Sequence, residues 1–199
     1  MGAMDTTTGL RERKKAATRQ AVHEAALRLT VEHGFDKVTV EAIADAAGIS
    51  RRTFSNYFSG KEDALLFGDE RQTDLLLHTL RERPAGEPAW SALRSAARAM
   101  LSGKEATPLQ REWAVRTRLA MRHPSLLARQ LANRVALERE IAHALAGRPG
   151  TQSVTPEVFA AMFLTSLRLA TTAWIVEEET RPLLDLLDHY LDQAARPFS

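Results

Sequence analysis

Apolar residues recur with helical spacing along almost the whole chain, whereas the strict alternation of a half-buried strand is nearly absent. Between Leu10 and His33, alanine and leucine side chains repeat every three or four positions on one face. Gly34 follows this segment at the position where a helix commonly ends. The pattern predicts an all-α fold of about nine helices without a sheet.

Gly48 separates two short predicted helices, 39–47 and 50–58, whose first residues Thr39 and Ser50 suit helix N-caps. Later breaks fall at segments rich in proline and glycine, such as RPAGEP and GRPGTQS. Between these breaks the apolar spacing predicts longer helices. They cover residues 59–83, 88–102, 108–122, 124–146, 155–178 and 181–195.

The two short helices have the composition of a helix-turn-helix. Ala44 and Ala47 are small enough for helices that cross closely, and Gly48 accepts the positive φ of a tight turn. Ile43, Ile49, Phe54 and Phe58 supply the apolar anchors beneath the unit. The second helix would then expose hydroxyl, guanidinium and amide groups, which contact phosphates and base edges in DNA. These residues are Ser50, Arg51, Arg52, Thr53, Ser55, Asn56 and Tyr57.

An ordinary helical hairpin with a polar face is the alternative interpretation. The turn of small residues and a polar helix without acidic residues occur together here, and this combination favours the DNA-binding interpretation. Charge supports it weakly: residues 1–61 carry ten Lys/Arg and seven Asp/Glu, while residues 62–199 carry seventeen and eighteen. The basic excess therefore coincides with the segment predicted to bind a polyanion.

Cysteine is absent, which excludes disulfide frameworks, thiolate zinc sites and cysteine nucleophiles. This composition suits a cytoplasmic protein, and the polar N-terminus lacks the apolar segment of a secretion signal. Residues 1–9 are predicted to be a disordered tail, and its first three residues, before Met4, resemble a cloning remnant.

Residues 158–176 form an apolar stretch that is nearly long enough to span a membrane. Arg168 stands in its middle, and such a charge at the bilayer centre is costly. A helix that is apolar on most faces is also typical of the buried helix of a soluble oligomer, and we expect this arrangement without a membrane. Arg168 then either meets a ligand carboxylate in a pocket or lies at the rim of a subunit interface.

The segment from residue 18 to residue 66 resembles the N-terminal domain of the TetR family of transcriptional regulators. The residues that carry the resemblance are Ala25, Ala26, Leu29, Gly34, Phe35, Thr39, Val40, Ile43, Ala44, Ala47, Gly48, Ile49, Ser50, Thr53, Tyr57, Phe58, Lys61, Glu62 and Leu65. The resemblance implies a homodimer with a three-helix DNA-binding head and a C-terminal ligand-binding domain. It also implies that Thr39, Thr53, Tyr57 and Lys61 contact the phosphate backbone.

Two positions depart from the common family pattern. Position 52, often glycine, is arginine, and position 55, often tyrosine, is serine. Arg52 is therefore either a base reader, because arginine pairs bidentately with guanine, or another phosphate contact.

The predicted domains are a helix-turn-helix head at 10–60 and a ligand-binding and dimerisation domain at 61–199. By resemblance, the helices at 155–178 and 181–195 pack against those of a second subunit, and the apolar character of 158–176 agrees. The resemblance also implies an effector pocket, which we expect to take a small hydrophobic molecule. Its candidate lining residues are Trp113, Arg116, Thr117, Phe159, Met162, Phe163 and Ser166.

The leading hypothesis is a ligand-responsive repressor that binds a near-palindromic operator in double-stranded DNA. The alternatives are an enzyme with an accessory DNA-binding head and a non-specific DNA-organising protein. No catalytic constellation, cofactor motif or metal site is expected. His23 and Glu24 belong to an incomplete HExxH motif, and the acidic and histidine side chains of the last helix are more typical of a solvated face.

Overall fold

The computed structural model describes residues 3–102, 106–178 and 180–196, and helices fill most of this part of the chain. Nine α-helices and one 3-10 turn (residues 35–37) occur there, and these described residues contain no strand. This confirms the predicted all-α fold. The helices are α1 (Ala3–His33), α2 (Val40–Ala46), α3 (Arg51–Ser55), α4 (Lys61–Arg81), α5 (Ala89–Ser102), α6 (Ala106–Arg122), α7 (Pro124–Leu145), α8 (Pro156–Val176) and α9 (Leu183–Ala194).

α1 begins inside the segment that the sequence predicts to be a tail. Its helical backbone starts at Ala3 rather than Leu10, and the sequence has no proline before Pro84 to interrupt it. It ends at His33, where Gly34 has a φ of 84° and its amide donates to the Thr30 carbonyl at 2.9 Å. Glycine adopts this left-handed conformation without the cost that a Cβ atom imposes.

The chain forms two compact units, residues 1–70 and 71–199, and α4 runs from the first into the second. The division falls after Glu70 rather than after residue 60 because the first half of α4 packs against α1. The Nδ1 atom of buried His23 is hydrogen-bonded to the Ala64 carbonyl oxygen at 2.9 Å. Arg19 pairs with Glu70 at 2.6 Å.

The first unit has a small core in which α1, α2, α3 and α4 meet. Its buried residues are Val22, Ala25, Ala26, Val38, Ile43, Ala44, Phe54, Phe58, Ala64 and Phe67. The Arg19 guanidinium lies 4.2 Å from the Phe67 ring centroid and 5.6 Å from that of Phe58, close enough for cation–π attraction. The Arg19 side chain of α1 therefore contacts two aromatic rings of this core, Phe58 after α3 and Phe67 of α4.

The second unit is built around α8, which packs against α7 and α9. By length and composition α8 also qualifies as a membrane-spanning helix. Many of its side chains are nevertheless buried against neighbouring helices. These buried residues are Ala160, Phe163, Leu164, Ser166, Leu167, Ala170, Thr171 and Trp174.

Ion pairs join α9 to α5 in the second unit. Arg94 reaches Asp188 at 2.9 Å and Asp192 at 2.5 Å, and Arg98 reaches Asp188 at 2.5 Å. The hydrogen bond from Arg94 is the main cause that lowers the pKa of Asp192. These acidic residues of the last helix therefore serve as partners of arginines. No group of metal ligands is found in the described part of the chain.

The turn between α2 and α3 depends on Gly48, which has a φ of 67°. The Gly48 amide donates to the Asp45 carbonyl at 3.0 Å, and the Ile49 amide donates to the Ala44 carbonyl at 3.0 Å. No atom lies within 4 Å of the position that a Cβ would occupy at residue 48. Backbone conformation, and not lack of space, therefore requires glycine there.

We predict that Gly48→Ala destabilises the helix-turn-helix by about 1–2 kcal/mol, the cost of holding an L-residue in the left-handed region. The measurement is amide hydrogen exchange over residues 40–58, which reports the free energy of local opening. Gly86→Ala is the matched control because its Cβ also meets open space and its φ is not left-handed. Equal exchange in both variants contradicts the prediction.

Candidate nucleic-acid interface

Side-chain caps fix the start of both short helices in the first unit. The Thr39 hydroxyl oxygen accepts a hydrogen bond from the Ala42 amide at 3.1 Å, and the Ser50 hydroxyl oxygen accepts one from the Thr53 amide at 3.1 Å. A hydrogen bond of 2.9 Å also joins the Ser50 and Thr53 hydroxyl groups. Predicted contact residues Thr39 and Ser50 therefore also define the ends of the helices that carry them.

α3 presents the predicted contact residues on a surface anchored from below by buried Phe54. Tyr57 and Thr53 are half-buried. Four others are exposed, namely Arg51, Arg52, Ser55 and Asn56. The structure thus brings six of the predicted side chains together on α3 and the turn that follows it, whereas Thr39 and Ser50 cap the starts of α2 and α3 and Lys61 begins α4.

The two adjacent arginines of α3 have different surroundings. Arg51 forms an ion pair of 2.9 Å with Glu41 of α2, and both side chains remain more than half exposed. A pair this exposed holds its arginine weakly, so a phosphate group can compete for it. Arg52 is exposed on the same short helix. Because α3 contains no acidic residue, its surface attracts anions.

Lys61 has a structural role that the sequence alone does not reveal. Its ammonium donates hydrogen bonds to the carbonyl oxygens of Phe35 at 2.8 Å and Val38 at 3.0 Å. It also lies 4.3 Å from the centroid of the Phe35 ring. Lys61 therefore ties the first turn of α4 to the segment between α1 and α2.

An open cleft of about 300 Å³ lies at the end of α1 beside this segment. Its lining residues are Leu29, Glu32, His33, Lys37, Val38 and Ala42. The sequence gives no sign of the cleft because its walls come from three separate elements. Both charge signs are present in the lining, which therefore does not select one class of ligand.

The predicted pocket residues all belong to the second unit, on α6 and α8. Phe163 and Ser166 are buried, and the Ser166 hydroxyl donates to the Met162 carbonyl of its own helix at 2.9 Å. Trp113 and Phe159 are partly buried and pack against the core. The other half-buried predicted residues are Met162 and Thr117.

Arg116 is fully buried, which is exceptional for an arginine. Glu112, one turn earlier on α6, places a carboxylate oxygen 3.6 Å from its Nη1 atom. On the same helix the Thr117 hydroxyl is buried and has no hydrogen-bond partner among the described residues. Buried polar groups of this kind usually meet water or a ligand.

Trp90 lies beside a predicted pocket residue and was not identified from the sequence. Its indole Nε1 is buried and, within the described residues, has no hydrogen-bond partner. Its ring lies 6.0 Å from that of Phe159, between centroids, so it adjoins a predicted pocket residue. A tryptophan at the start of α5 has no sequence signal that distinguishes it from an ordinary core residue.

Arg168 is exposed on α8 in the single chain. Nearby Arg134 of α7 donates to the Thr165 hydroxyl oxygen at 3.1 Å. Burial, together with the charge of Arg168, lowers the pKa of Arg134. Two arginines therefore lie close together on the α7–α8 surface.

Comparison with known proteins matches both parts of the chain. Residues 23–66 match the profile of the bacterial regulatory proteins of the tetR family, and residues 87–199 match the MftR C-terminal domain. The HTH-type transcriptional regulator TcmR of Streptomyces glaucescens is 32% identical over 179 residues, which cover 86% of this chain and 79% of TcmR.

Solved structures show the same fold at lower identity. Thermus thermophilus FadR in complex with lauroyl-CoA superposes with a TM-score of 0.62 at 22% identity, covering 91% of this chain and 96% of that one. The complex of SmeT with triclosan also gives a TM-score of 0.62, at 21% identity, covering 89% and 90% of the two chains. SmeT is the repressor of a Stenotrophomonas maltophilia multidrug efflux pump.

Proposed function

Because the chain belongs to the TetR family of transcriptional regulators, with a DNA-binding helix-turn-helix and an MftR-type C-terminal domain, we propose that it is a ligand-responsive repressor. It would bind a near-palindromic operator as a cytoplasmic homodimer and be released by a small hydrophobic molecule. The alternative of an enzyme with an accessory DNA-binding head is wrong, because the family is not enzymatic and its domains account for both parts of the chain.

The observation that carries the operator proposal is the surface of α3. Its exposed residues include two arginines and no acid, and its orientation is fixed by two capped helix ends and a buried phenylalanine. A rigid helix of this kind suits the major groove, where arginine and asparagine read base edges. Thr39, Thr53, Tyr57 and Lys61 would contact the phosphates on either side of it.

We expect binding to be specific and to weaken steeply with salt. Four phosphate contacts in each of two subunits fall in the range of six to ten, for which affinity drops by about 10³–10⁵ between about 50 and 200 mM salt. The experiment selects duplexes from a random pool with the purified protein and compares the selected site with a scrambled one by anisotropy. Equal affinity for both would support a non-specific DNA-organising protein instead.

The same selection distinguishes the two arginines of α3. If Arg52 reads a guanine, Arg52→Ala relaxes the preference at one position of each half-site, at a cost of about 1–3 kcal/mol per pair. Arg51→Ala is the matched control: if Arg51, which pairs with Glu41, touches only the backbone, this variant weakens all sequences alike, because phosphate contacts carry no base information. An unchanged selected motif with Arg52→Ala would assign Arg52 to the backbone.

Exposed apolar side chains on α8 support the homodimer proposal. Leu169 and Val176 remain 36% and 71% exposed in the single chain, and Val158 is exposed on the same helix. The neighbouring surface of α7 exposes Leu131 and Val135. The exposed side chains of α9, in contrast, are polar, since its leucines are mostly buried within its own chain. α8 is therefore the expected centre of the interface, with α9 beside it.

We expect Leu169→Lys to convert a dimer at micromolar concentration into a monomer, because each large apolar side chain buried contributes about 1.5–3 kcal/mol. Sedimentation velocity without DNA is the measurement. Met121→Lys, at an exposed apolar position of α6, is the control and should remain dimeric. Val135→Lys then tests whether α7 takes part. A wild-type protein that sediments as a monomer would refute the homodimer.

Buried polar groups among apolar side chains support the effector proposal. Arg116 and Thr117 of α6 and Trp90 of α5 can all donate hydrogen bonds, and the aromatic ring of Phe159 adjoins Trp90. Effector sites combine apolar walls with a few such groups. The FadR neighbour is bound to lauroyl-CoA and the SmeT neighbour to triclosan. We therefore propose an apolar effector with a hydrogen-bond acceptor at one end.

A thermal-shift screen tests this chemistry with decanoate and 2-naphthoate against decylamine and glucose. The two acids should raise the melting temperature and release the operator, because they offer acceptors to the buried donors. Trp90→Phe keeps an aromatic ring but removes the indole N–H donor, and it should weaken binding of whichever acid raises the melting temperature. Hits confined to decylamine or glucose would show that the pocket chemistry is wrong.

A further inference from the structure

The first half of α1 carries a group of cations that the predicted DNA contacts do not include. Residues 11–15 contain four cations and one acid, Glu12. Arg11, Lys14 and Lys15 are exposed, and their spacing of three and four residues places them on one face of α1, here called the basic face. Like charges at this spacing repel each other and destabilise a helix. Within the described residues these three cations form no ion pair that would compensate for the repulsion.

The basic face continues the face of α1 that packs into the core of the first unit. Val22 and Ala25 are buried in that core. They stand eleven residues after Arg11 and Lys14, respectively, which corresponds to about three full turns of an α-helix. Side chains at such positions point in the same direction, so the basic face extends the core-facing side of α1 beyond the end of the core.

Arg19 places the basic face close to the end of α3. It follows Lys15 by one turn, and its guanidinium lies 5.6 Å from the centroid of the Phe58 ring. Phe58 directly follows Tyr57, a predicted phosphate contact. The helix rises by about 12 Å between Arg11 and Arg19, at about 1.5 Å per residue. The cations therefore begin near the turn that follows α3 and extend away from it along α1.

We propose that the basic face of α1 binds phosphates of the DNA that flanks the segment contacted by α3. Duplex DNA carries one phosphate for about every 1.7 Å of its axis, so cations spread over several ångströms can each meet a phosphate. Lysine and arginine contacts of this kind hold the protein on DNA without reading the sequence. The inference rests on the proposed function, since it presupposes an operator that α3 contacts.

A surface that is only solvated is the competing explanation, because charged side chains are mostly exposed to water in any protein. Arg13 separates the two explanations. It belongs to the same run of cations, but it lies on the outer face of α1, in line with exposed Glu24 three turns later. A general effect of net charge treats Arg11 and Arg13 alike, whereas contact with flanking DNA involves the basic face alone.

The experiment uses the full chain and a duplex selected from a random pool, in two lengths. The short duplex ends with the selected site, and the long duplex has about six further base pairs on each side, more than the roughly four that 12 Å of α1 spans at about 3.4 Å each. Anisotropy gives the affinity of each duplex over a range of salt concentrations. The variants are Arg11→Gln, its matched control Arg13→Gln, and the triple variant Arg11→Gln/Lys14→Gln/Lys15→Gln.

These substitutions are expected to leave the fold intact, because the three side chains of the basic face are exposed and glutamine has nearly the helix propensity of lysine and arginine. Melting temperatures check this expectation for every variant. If the triple variant does not fold, the comparison of Arg11→Gln with Arg13→Gln still decides between the two explanations.

On the long duplex, we expect the triple variant to reduce the slope of log affinity against log salt by about 2.7 for each subunit bound, at about 0.9 for each lost phosphate contact. Arg11→Gln should reduce the slope by about 0.9 per subunit, and Arg13→Gln should leave it unchanged. On the short duplex, the triple variant and the wild type should have equal slopes, because the flanking phosphates are absent.

An unchanged slope of the triple variant on the long duplex overturns the proposal, and so do equal effects of Arg11→Gln and Arg13→Gln. If the triple variant keeps its slope on DNA but loses binding to phosphatidylserine vesicles, the basic face belongs to a membrane contact instead. A wild-type protein that binds selected and scrambled duplexes equally contradicts the proposed function, and the slopes of the variants still decide the role of the basic face.

Discussion

The structure depends on α4 being held near both of its ends. Near its start, Lys61 donates hydrogen bonds to carbonyls of the segment between α1 and α2. The Ala64 carbonyl oxygen is hydrogen-bonded to the His23 ring of α1. At its other end, Arg148 donates to three carbonyls at and just beyond the last turn. One helix enters both compact units, so the contacts near its start belong to the first unit and those at its end belong to the second.

Several cations of this protein serve as internal donors rather than as surface charges. Lys61 and Arg148 each donate to main-chain carbonyls of other segments, and Arg94 joins two helices through two carboxylates. Fully buried Arg116 lies beside Glu112. Burial of a cation is costly unless hydrogen bonds and opposite charges compensate for it. These residues therefore specify packing, and the net charge of +2 says little about them.

Much of the fold could be predicted because its signals are local. Helical spacing, the glycine at position 48 and the caps at Thr39 and Ser50 predict the helix-turn-helix, and the structure has all three. The apolar stretch that forms α8 was predicted to be a buried helix, and eight of its 21 residues are buried in the single chain. The start of α1 was less predictable, since polar, threonine-rich residues indicate neither a tail nor a helix strongly.

The sequence by itself determined the helices, the turn and the polar surface of α3, because these depend on residues within a few positions of one another. Only the tertiary structure decided that Lys61 reaches back to the segment before α2, that Arg168 faces outward, and that Trp90 adjoins Phe159. The tertiary structure also decided that Arg148, which lies in the loop between α7 and α8, donates hydrogen bonds at the end of α4, more than sixty residues earlier in the chain. Such contacts join residues far apart in sequence, and local periodicity carries no information about them.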